Sequence, residues 1–461
     1  MSVQAASGPF AAEAEVLVVG AGACGLTAAL AAHDAGAEVV VLERDAVPAG
    51  STSLSAGLIP AAGTRWQAAE GIDDSAAALA KDILSKSKGA ADNVLVEAAS
   101  TAAGPALDWL ADHHGLPFEL VDGFVYPGHS VRRMHAMPER SGRALVDRLR
   151  AAAEAAGILI ITDARAHTLL MAGKRVRGVA MSRPDGAEER VGCRALVLAS
   201  NGYGGNKAYV AQHIPSLADA LWFGHDGNDG TALTWGEALG ADLADLSGHQ
   251  GHGSVAHPHG ILITWATITG GGFQVDGTGK RFSDESEGYS EQAARVLACP
   301  GGIAFTIFDS RIAEIAVQFE DFQRADAAGA ILRADTAKEL ASRLGVPPDA
   351  LEDTLCEVAA LQEAGATDSF GRRWDTPPLA PPYCGVKVTG ALFHTQGGLK
   401  TDGKGRVLRA GAPVPGLWAA GGAAVGVSGP TAAGYLSGNG LLTAVAMGRV
   451  AGESAASDKA D

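Results

Sequence analysis

The stretch EVLVVGAGACGLTAALAAHDAGAEVVVLERD, residues 15–45, constrains the fold more than any other part of the chain. Its apolar run Val16–Val19 reads as a buried parallel strand. The run meets Gly20, Gly22 and Gly25 in GxGxxG spacing, and Ala23 opens a helix-like segment that stops at Ala35 and Gly36. A second strand, EVVVL, ends at Glu43 and Arg44. GxGxxG alone is a weak signal. Between a strand and a helix, with an acid closing the next strand, it marks a dinucleotide site. The first glycine permits the tight turn, the second lets the backbone approach a pyrophosphate, and the third lets helix pack on strand. The helix N-terminus offers unpaired N–H groups and its dipole to the phosphates. Glu43 is placed to accept hydrogen bonds from the adenosine ribose. The bland alternative is a glycine-rich turn in some other α/β fold.

At 461 residues the chain exceeds one simple core, so two domains or a large insertion are expected. Its 61 glycines follow no period, which points to tight turns and close backbone approaches. A net charge of −16 without any basic block argues against nucleic acid and anionic membranes as partners. Five scattered cysteines, odd in number and without CxxC spacing, read as reduced thiols. No secretion signal opens the sequence, and no apolar run reaches the roughly 18 residues of a membrane span. A cytoplasmic location is therefore expected.

Two further segments favour FAD over a nicotinamide. AGSTSLSAGL (49–58) follows the second strand at once, and its Gly50, Ser51, Thr52, Ser55 and Gly57 suit a pass along a pyrophosphate and ribityl chain. GLWAAGGA (416–423) reads as a late strand turning at Gly421 and Gly422, and SGNGLLTAVAMGRVAG (437–452) as a helix starting near Gly440 and Leu441. A helix N-terminus there can face the isoalloxazine edge, where negative charge collects on reduction.

These segments, together with SGRALVDRLRAAAEAAGI (141–158), LVLASNGYGGN (196–206), GGGFQVDGTGKRFSDES (270–286) and FHTQGGLKTD (393–402), make the chain resemble the fumarate reductase and succinate dehydrogenase flavoproteins and the 3-ketosteroid dehydrogenases. The resemblance implies an α/β fold: a Rossmann-like, glutathione-reductase-like FAD domain over 1–217 and 378–461, with an inserted α+β cap over 218–377. It implies adenine contact near Ala166 and flavin contact near Ser200, Asn201 and Gly202. It also implies non-covalent FAD, since residues 50–57 contain no histidine. Gly422 departs from the glutamate that many relatives carry there. In the cap, a strand pair is expected around Phe273–Phe282, and GVPPDA separates two of a series of alanine-rich helices between Asp309 and Gly365.

In the fumarate reductases two histidines and two arginines grip a dicarboxylate. The histidines correspond to His252, expected in a cap loop, and His394. The arginine positions correspond to Tyr289 and Tyr435. A phenol cannot replace a guanidinium's bidentate grip. It can polarise a ketone oxygen or exchange a proton with an acidic carbon. That is the pattern of the 3-ketosteroid dehydrogenases, in which one tyrosine and a backbone N–H hold the ketone and a cap tyrosine takes the α-proton. On that resemblance Tyr435, with the amides around Gly438, polarises the carbonyl, Tyr289 is the base, Ser437 lines the site, and Tyr126 assists. Packed tyrosines with satisfied hydroxyls are the structural alternative for all three.

The expected function is FAD-dependent desaturation of a cyclic ketone, either a compact oxo-alicyclic compound or a 3-oxosteroid. The chain looks short for the steroid branch, which favours the compact substrate. The alternatives are reduction of a fumarate-like acid and a flavin scaffold without turnover. The electron acceptor (oxygen, a quinone or an artificial dye) is not written in these motifs. His249, His252, His257 and His259 cluster without a cysteine or suitably spaced carboxylate, so no metal is expected. Arg132 and Arg133 could reach a substrate carboxylate, but a surface pair is the commoner arrangement.

Overall fold

A computed structural model describes residues 2–122 and 125–459. Residues Ala12–Val19 form the expected first strand, Ala23–Asp34 the helix and Val39–Leu42 the second strand. Val16, Leu17 and Val18 have no exposed surface, as a strand covered on both faces requires. Five strands run parallel in a nine-stranded sheet: Leu159–Ile161, Val39–Leu42, Ala12–Val19, Glu188–Leu198 and Ala412–Ala419. Their ends are in register, Ile161 beside Leu42, Leu42 beside Val19, Val19 beside Leu198 and Leu198 beside Ala419. An antiparallel meander, Arg165–Ala172 with Arg175–Ser182, joins the first half of Glu188–Leu198.

Close packing fixes this layer. A Cβ on Gly25 would lie 1.7 Å from the Gly20 carbonyl oxygen and 3.3 Å from Ala199 Cβ. The third glycine of the motif is therefore a packing residue, and it does not face the cavity. The segment expected as one helix at 437–452 runs as Asn439–Leu442, a π turn over Thr443–Met447, and Gly448–Ala456. A Cβ on Gly452 would come within 2.2 Å of the Ala28 carbonyl oxygen, so the last helix lies directly on the first.

The second sheet has seven strands, and Tyr383–Thr395 is its spine. It pairs with His249–Ala256, Ile303–Asp309 and Leu332–Ala334, all antiparallel, and with Leu221–Trp222 in parallel. All of this spine lies past residue 378, where the FAD domain was expected to resume. The strand pair expected around Phe273–Phe282 is a single strand, Phe273–Val275, antiparallel to Ile303–Asp309. After it the chain turns at Asp276–Lys280, where the Asp276 N–H bonds the Lys280 carbonyl and the Asp276 carboxylate accepts from Thr278. GVPPDA does separate two helices, Ala337–Leu344 and Pro348–Ala364.

Gly25→Ala should force the first helix off its strand, at a cost of about 1–3 kcal/mol. The expected result is a lower Tm and a lower flavin absorbance per mole of purified protein. Unchanged values for both would contradict this packing.

Candidate functional site

The in-register strand ends release four turns side by side: Gly20 after Val19, Glu43 after Leu42, Ala199–Asn201 after Leu198, and Ala420–Gly422 after Ala419. Ligands of open α/β sheets bind at such carboxyl ends. One continuous cavity starts there and extends to the second sheet. Gly20, Gly22, Ala23, Glu43 and Arg44 line it, followed by Gly50, Ser51, Thr52, Ser55 and Gly57. Ala166, Ser200, Asn201, Gly421, Gly422, Gly440 and Leu441 continue the wall. Gly202 does not reach it. A Cβ there would meet Thr395 Oγ1 at 1.9 Å, so Gly202 packs between the two sheets.

Glu43 is 6% exposed, and its carboxylate accepts the Ala21 N–H at 2.8 Å and the Asp45 N–H at 3.0 Å. Burial raises its pKa, against the pull of those two donors. The remaining lone pairs face a cavity, as a ribose diol needs. Thr52 Oγ1 accepts from the Ala23 N–H at 3.1 Å and ties the hydroxyl-rich loop to the helix start. Ser200 Oγ is buried on the cavity wall without a protein partner. Glycine turns open to a ligand, an anchored acid and an orphaned hydroxyl are what FAD requires here.

Sequence reasoning missed the loop 223–231. His225, Asn228, Asp229 and Thr231 line the cavity, and Ser51 Oγ accepts from the His225 N–H and from Asn228 Nδ2 at 2.7 Å. His225 Nε2 lies 2.7 Å from Asp45 Oδ2, closing the strap over the nucleotide end. The run GHDGNDG signals a turn but carries no spacing motif. Also missed were Trp265 and Phe393, which line the opposite end.

At that end Tyr126, Tyr289, Tyr435, His252, Ser437 and Gly438 come together. The text GHQGHGS explains how. His252 sits on the strand His249–Ala256, not in the loop expected from sequence. Register shifts flank it, and such bulges re-aim side chains. A Cβ on Gly251 would meet Ala293 Cβ at 2.6 Å, and one on Gly253 would meet the Gln292 backbone carbon at 2.8 Å. Both glycines let helix Tyr289–Ala298 lie on the strand. The Tyr289 ring then stacks on His252, with centroids 4.8 Å apart and planes at 19°. Tyr435 and Tyr126 approach Tyr289 edge-on at 6.1 and 6.5 Å.

Hydrogen bonds tie the phenols to the glycine corner. The Gly440 N–H donates to Tyr435 Oη at 3.3 Å. Tyr289 bonds Ser437, Tyr435 and the Gly438 N–H. Burial pushes the Tyr289 phenol up to about 12, while those three bonds pull it down. Burial and the neighbouring Tyr289 push Tyr435 well above its usual range. The two phenols share a hydrogen bond, and burial holds both above the ordinary phenol range. Burial raises Tyr126, which bonds Thr264.

Both histidines are neutral. Burial pushes His252 down to about 3 and His394 down to about 4. His252 Nδ1 accepts the Ser254 N–H at 3.1 Å, which leaves the proton on Nε2. Of the arginine pair, Arg132 meets Glu70 at the surface. Arg133 is not a surface residue; it is 1% exposed and held by Asp74 and Asp82, so it has no charge to spare for a substrate. The arginines on the cavity wall are Arg44, Arg140 and Arg165. Arg44 and Arg165 meet Asp229 near Glu43, and Arg140 meets Glu119 at 3.8 Å.

The model of the family described as "FAD binding domain" matches residues 15–441, and the chain belongs to that family. It is 30% identical over 452 residues to a fumarate reductase (cytochrome) of Shewanella frigidimarina, covering 96% of this chain and 77% of that one. It is 26% identical over 546 residues to 4-oxocyclohexanecarboxylate 2-dehydrogenase of Sinomonas cyclohexanicum, covering 97% and 93%. The solved 3-ketosteroid-Δ4-(5α)-dehydrogenase of Rhodococcus jostii, in complex with 4-androstene-3,17-dione, superposes with a TM-score of 0.76 at 27% identity. The match covers 98% of both chains, so this chain is not short beside a steroid enzyme and length does not disfavour a steroid. The protein is an FAD-dependent oxidoreductase, and among the described residues no helix is long and apolar enough to cross a membrane.

Glu43→Ala removes the acceptor of two backbone donors and of the ribose. Bonds to a charged group contribute about 1.5–3 kcal/mol. FAD affinity should fall roughly ten- to hundredfold, read by quenching of free flavin fluorescence during reconstitution. An unchanged Kd would remove Glu43 from the binding site.

Proposed function

We propose that the protein desaturates a cyclic ketone, forming the α,β double bond next to the carbonyl. The observation that carries this reading is the hydrogen-bonded set of Tyr289, Tyr435, Ser437 and the Gly438 and Gly440 amides at the cavity end. It is an uncharged set of hydroxyls and amide N–H groups, suited to an uncharged carbonyl and poorly suited to a dicarboxylate.

In this reading, while the Gly440 N–H stays on Tyr435 Oη, the Tyr435 O–H and the Gly438 N–H turn from Tyr289 to the ketone oxygen when substrate binds. They stabilise the negative charge that develops there as the α-proton leaves. Tyr289 takes that proton. Its ring lies on the cap helix, stacked on His252, and its oxygen accepts from Ser437, which stabilises the phenolate. The bound FAD supplies the acceptor for the β-hydrogen, which departs as hydride while the C=C bond forms. Tyr126, Trp265 and Phe393 wall the site with rings and keep water from the developing enolate. His252, stacked on Tyr289, offers an Nε2–H to a second polar group of the substrate.

The substrate class is a 4-oxocyclohexane-type acid or a 3-oxosteroid, as the relatives named above act on or bind such ketones. The fumarate reductase relative supports an alternative, reduction of an unsaturated acid. Against it stand Tyr289 and Tyr435 at the positions where the resemblance leads one to expect arginines.

Anaerobic mixing with 4-oxocyclohexanecarboxylate, a 3-oxosteroid and succinate, followed at the visible flavin band, tests the proposal. Bleaching by a ketone and not by succinate is expected; bleaching by succinate alone would overturn it. Tyr435→Phe should slow bleaching ~10²–10³-fold, and Tyr289→Phe ~10²–10⁴-fold. The bleaching rate should also rise with pH across the neutral and alkaline range. A phenol held up to about 12 by burial is protonated there, and each unit of pH enlarges its ionised fraction. A flat profile in the wild-type chain would exclude Tyr289 as the base.

A further inference from the structure

His394 occupies a different place from His252, although sequence comparison pairs them as clamps on one substrate. A register shift falls at Phe393, so the placement of His394 is read from its own contacts and not from strand alternation. On strand Tyr383–Thr395, Phe393 turns toward the second-sheet cluster and stacks on His252 at 5.2 Å. His394 lies against the carboxyl ends of the first sheet. Its neighbours bear this out. A Cβ on Gly422 would lie 2.8 Å from His394 Nε2 and 2.0 Å from Asn201 Oδ1, and one on Gly440 would lie 3.9 Å from His394 Nδ1. Gly422 and Asn201 belong to two of the four turns that form the dinucleotide crevice.

The ring is also held in one protonation form by a chain of side chains. Asn439 Nδ2 donates to Ser428 Oγ at 2.9 Å, and Ser428 Oγ donates to Gln396 Oε1 at 2.8 Å. That fixes which end of the Gln396 amide is its nitrogen, and Gln396 Nε2 lies 2.8 Å from His394 Nδ1. An amide nitrogen only donates, so Nδ1 accepts and the imidazole proton is on Nε2. Asn439 and Ser428 are fully or almost fully buried, and Gln396 is 2% exposed, so water does not compete for these bonds. Asn439 Oδ1, at the far end, has no partner, and the end of the chain on the cavity wall is the His394 N–H.

We propose that His394 donates its Nε2–H to the flavin ring and not to the substrate, and that Gln396 is the residue that positions it. The acceptor atoms of an isoalloxazine lie on its pyrimidine part and central ring, and the dimethylbenzene edge has none. Negative charge accumulates on that polar part when the flavin is reduced. A fixed donor there stabilises the reduced state more than the oxidised one and so raises the reduction potential.

The test is the midpoint potential of the FAD-loaded protein, measured without substrate by equilibration with a reference dye. It is therefore independent of the ketone reading: a failure there leaves this result standing, and the reverse holds too. His394→Phe should lower the equilibrium constant for two-electron reduction at least tenfold, about 30 mV. Gln396→Met, which keeps volume and frees the imidazole to turn, should shift it in the same direction by a smaller factor. If His394→Phe fails to retain FAD, His394→Leu, which is smaller, reads the same equilibrium. An unchanged potential in the His394 variant, with a raised KM for the ketone, would overturn the assignment in favour of a substrate clamp. A shift in the His394 variant with none in Gln396→Met would overturn the positioning role of Gln396.

Discussion

The register of five parallel strand ends is the constraint on which the rest of this molecule depends. Ile161, Leu42, Val19, Leu198 and Ala419 terminate side by side, so turns far apart in sequence open along one line. The register in turn depends on close contact. With a side chain at Gly25 or Gly452, the first helix could lie against neither its strand nor the last helix. The cofactor site is thus a by-product of packing: where the helices press closest to the sheet, the backbone is bare enough to meet a pyrophosphate.

The second sheet solves a different problem. It must bring polar groups to a dry cavity without leaving any of them charged. Burial holds His252 and His394 neutral and raises the Tyr289 phenol further above neutral pH. The same desolvation that makes an imidazole a poor cation makes its N–H a directional donor, and makes a phenolate, once formed, a strong base. Charged pairs are kept elsewhere. Arg281, Arg372, Glu285 and Asp368 form a buried network behind the Tyr289 helix, and Lys86 ties the start of that helix to the first domain through Glu291.

How much of this was legible in the sequence follows from the range of each signal. The strand–turn–helix of residues 16–34 and the acid at Glu43 were readable because each rests on contacts within one βαβ unit. The tyrosines at 289 and 435 were readable through resemblance, since the glycine corner and the cap helix have recognisable text around them. His252 was expected in a loop and lies on a bulged strand, because GHQGHGS looks flexible until helix 289–298 packs against its glycines. The strand pair expected around Phe273–Phe282 is one strand because its partner, Ile303–Asp309, lies further along the chain, and no local pattern encodes that. The loop 223–231 was invisible for the same reason: its role comes from Ser51 and Asp45, more than a hundred residues earlier.

Gly422 joins these levels. A glutamate is expected there from the resemblance, and glycine looked like a lost contact. The space a side chain would need is taken by Asn201 and His394. Asn201 reaches it in a left-handed conformation, φ 63°, which asparagine tolerates better than most residues, and its Oδ1 accepts the Gly202 N–H at 2.9 Å. An anionic side chain in that position would face the part of the flavin that gains negative charge on reduction, and would oppose it. Of the two groups that stand there, the Asn201 oxygen only accepts, and the imidazole N–H is the donor. In the proposed reaction hydride leaves the carbon β to the ketone, and a donor beside the flavin favours that direction. The glycine, the asparagine and the imidazole are three parts of one adjustment, made at the junction of the two sheets.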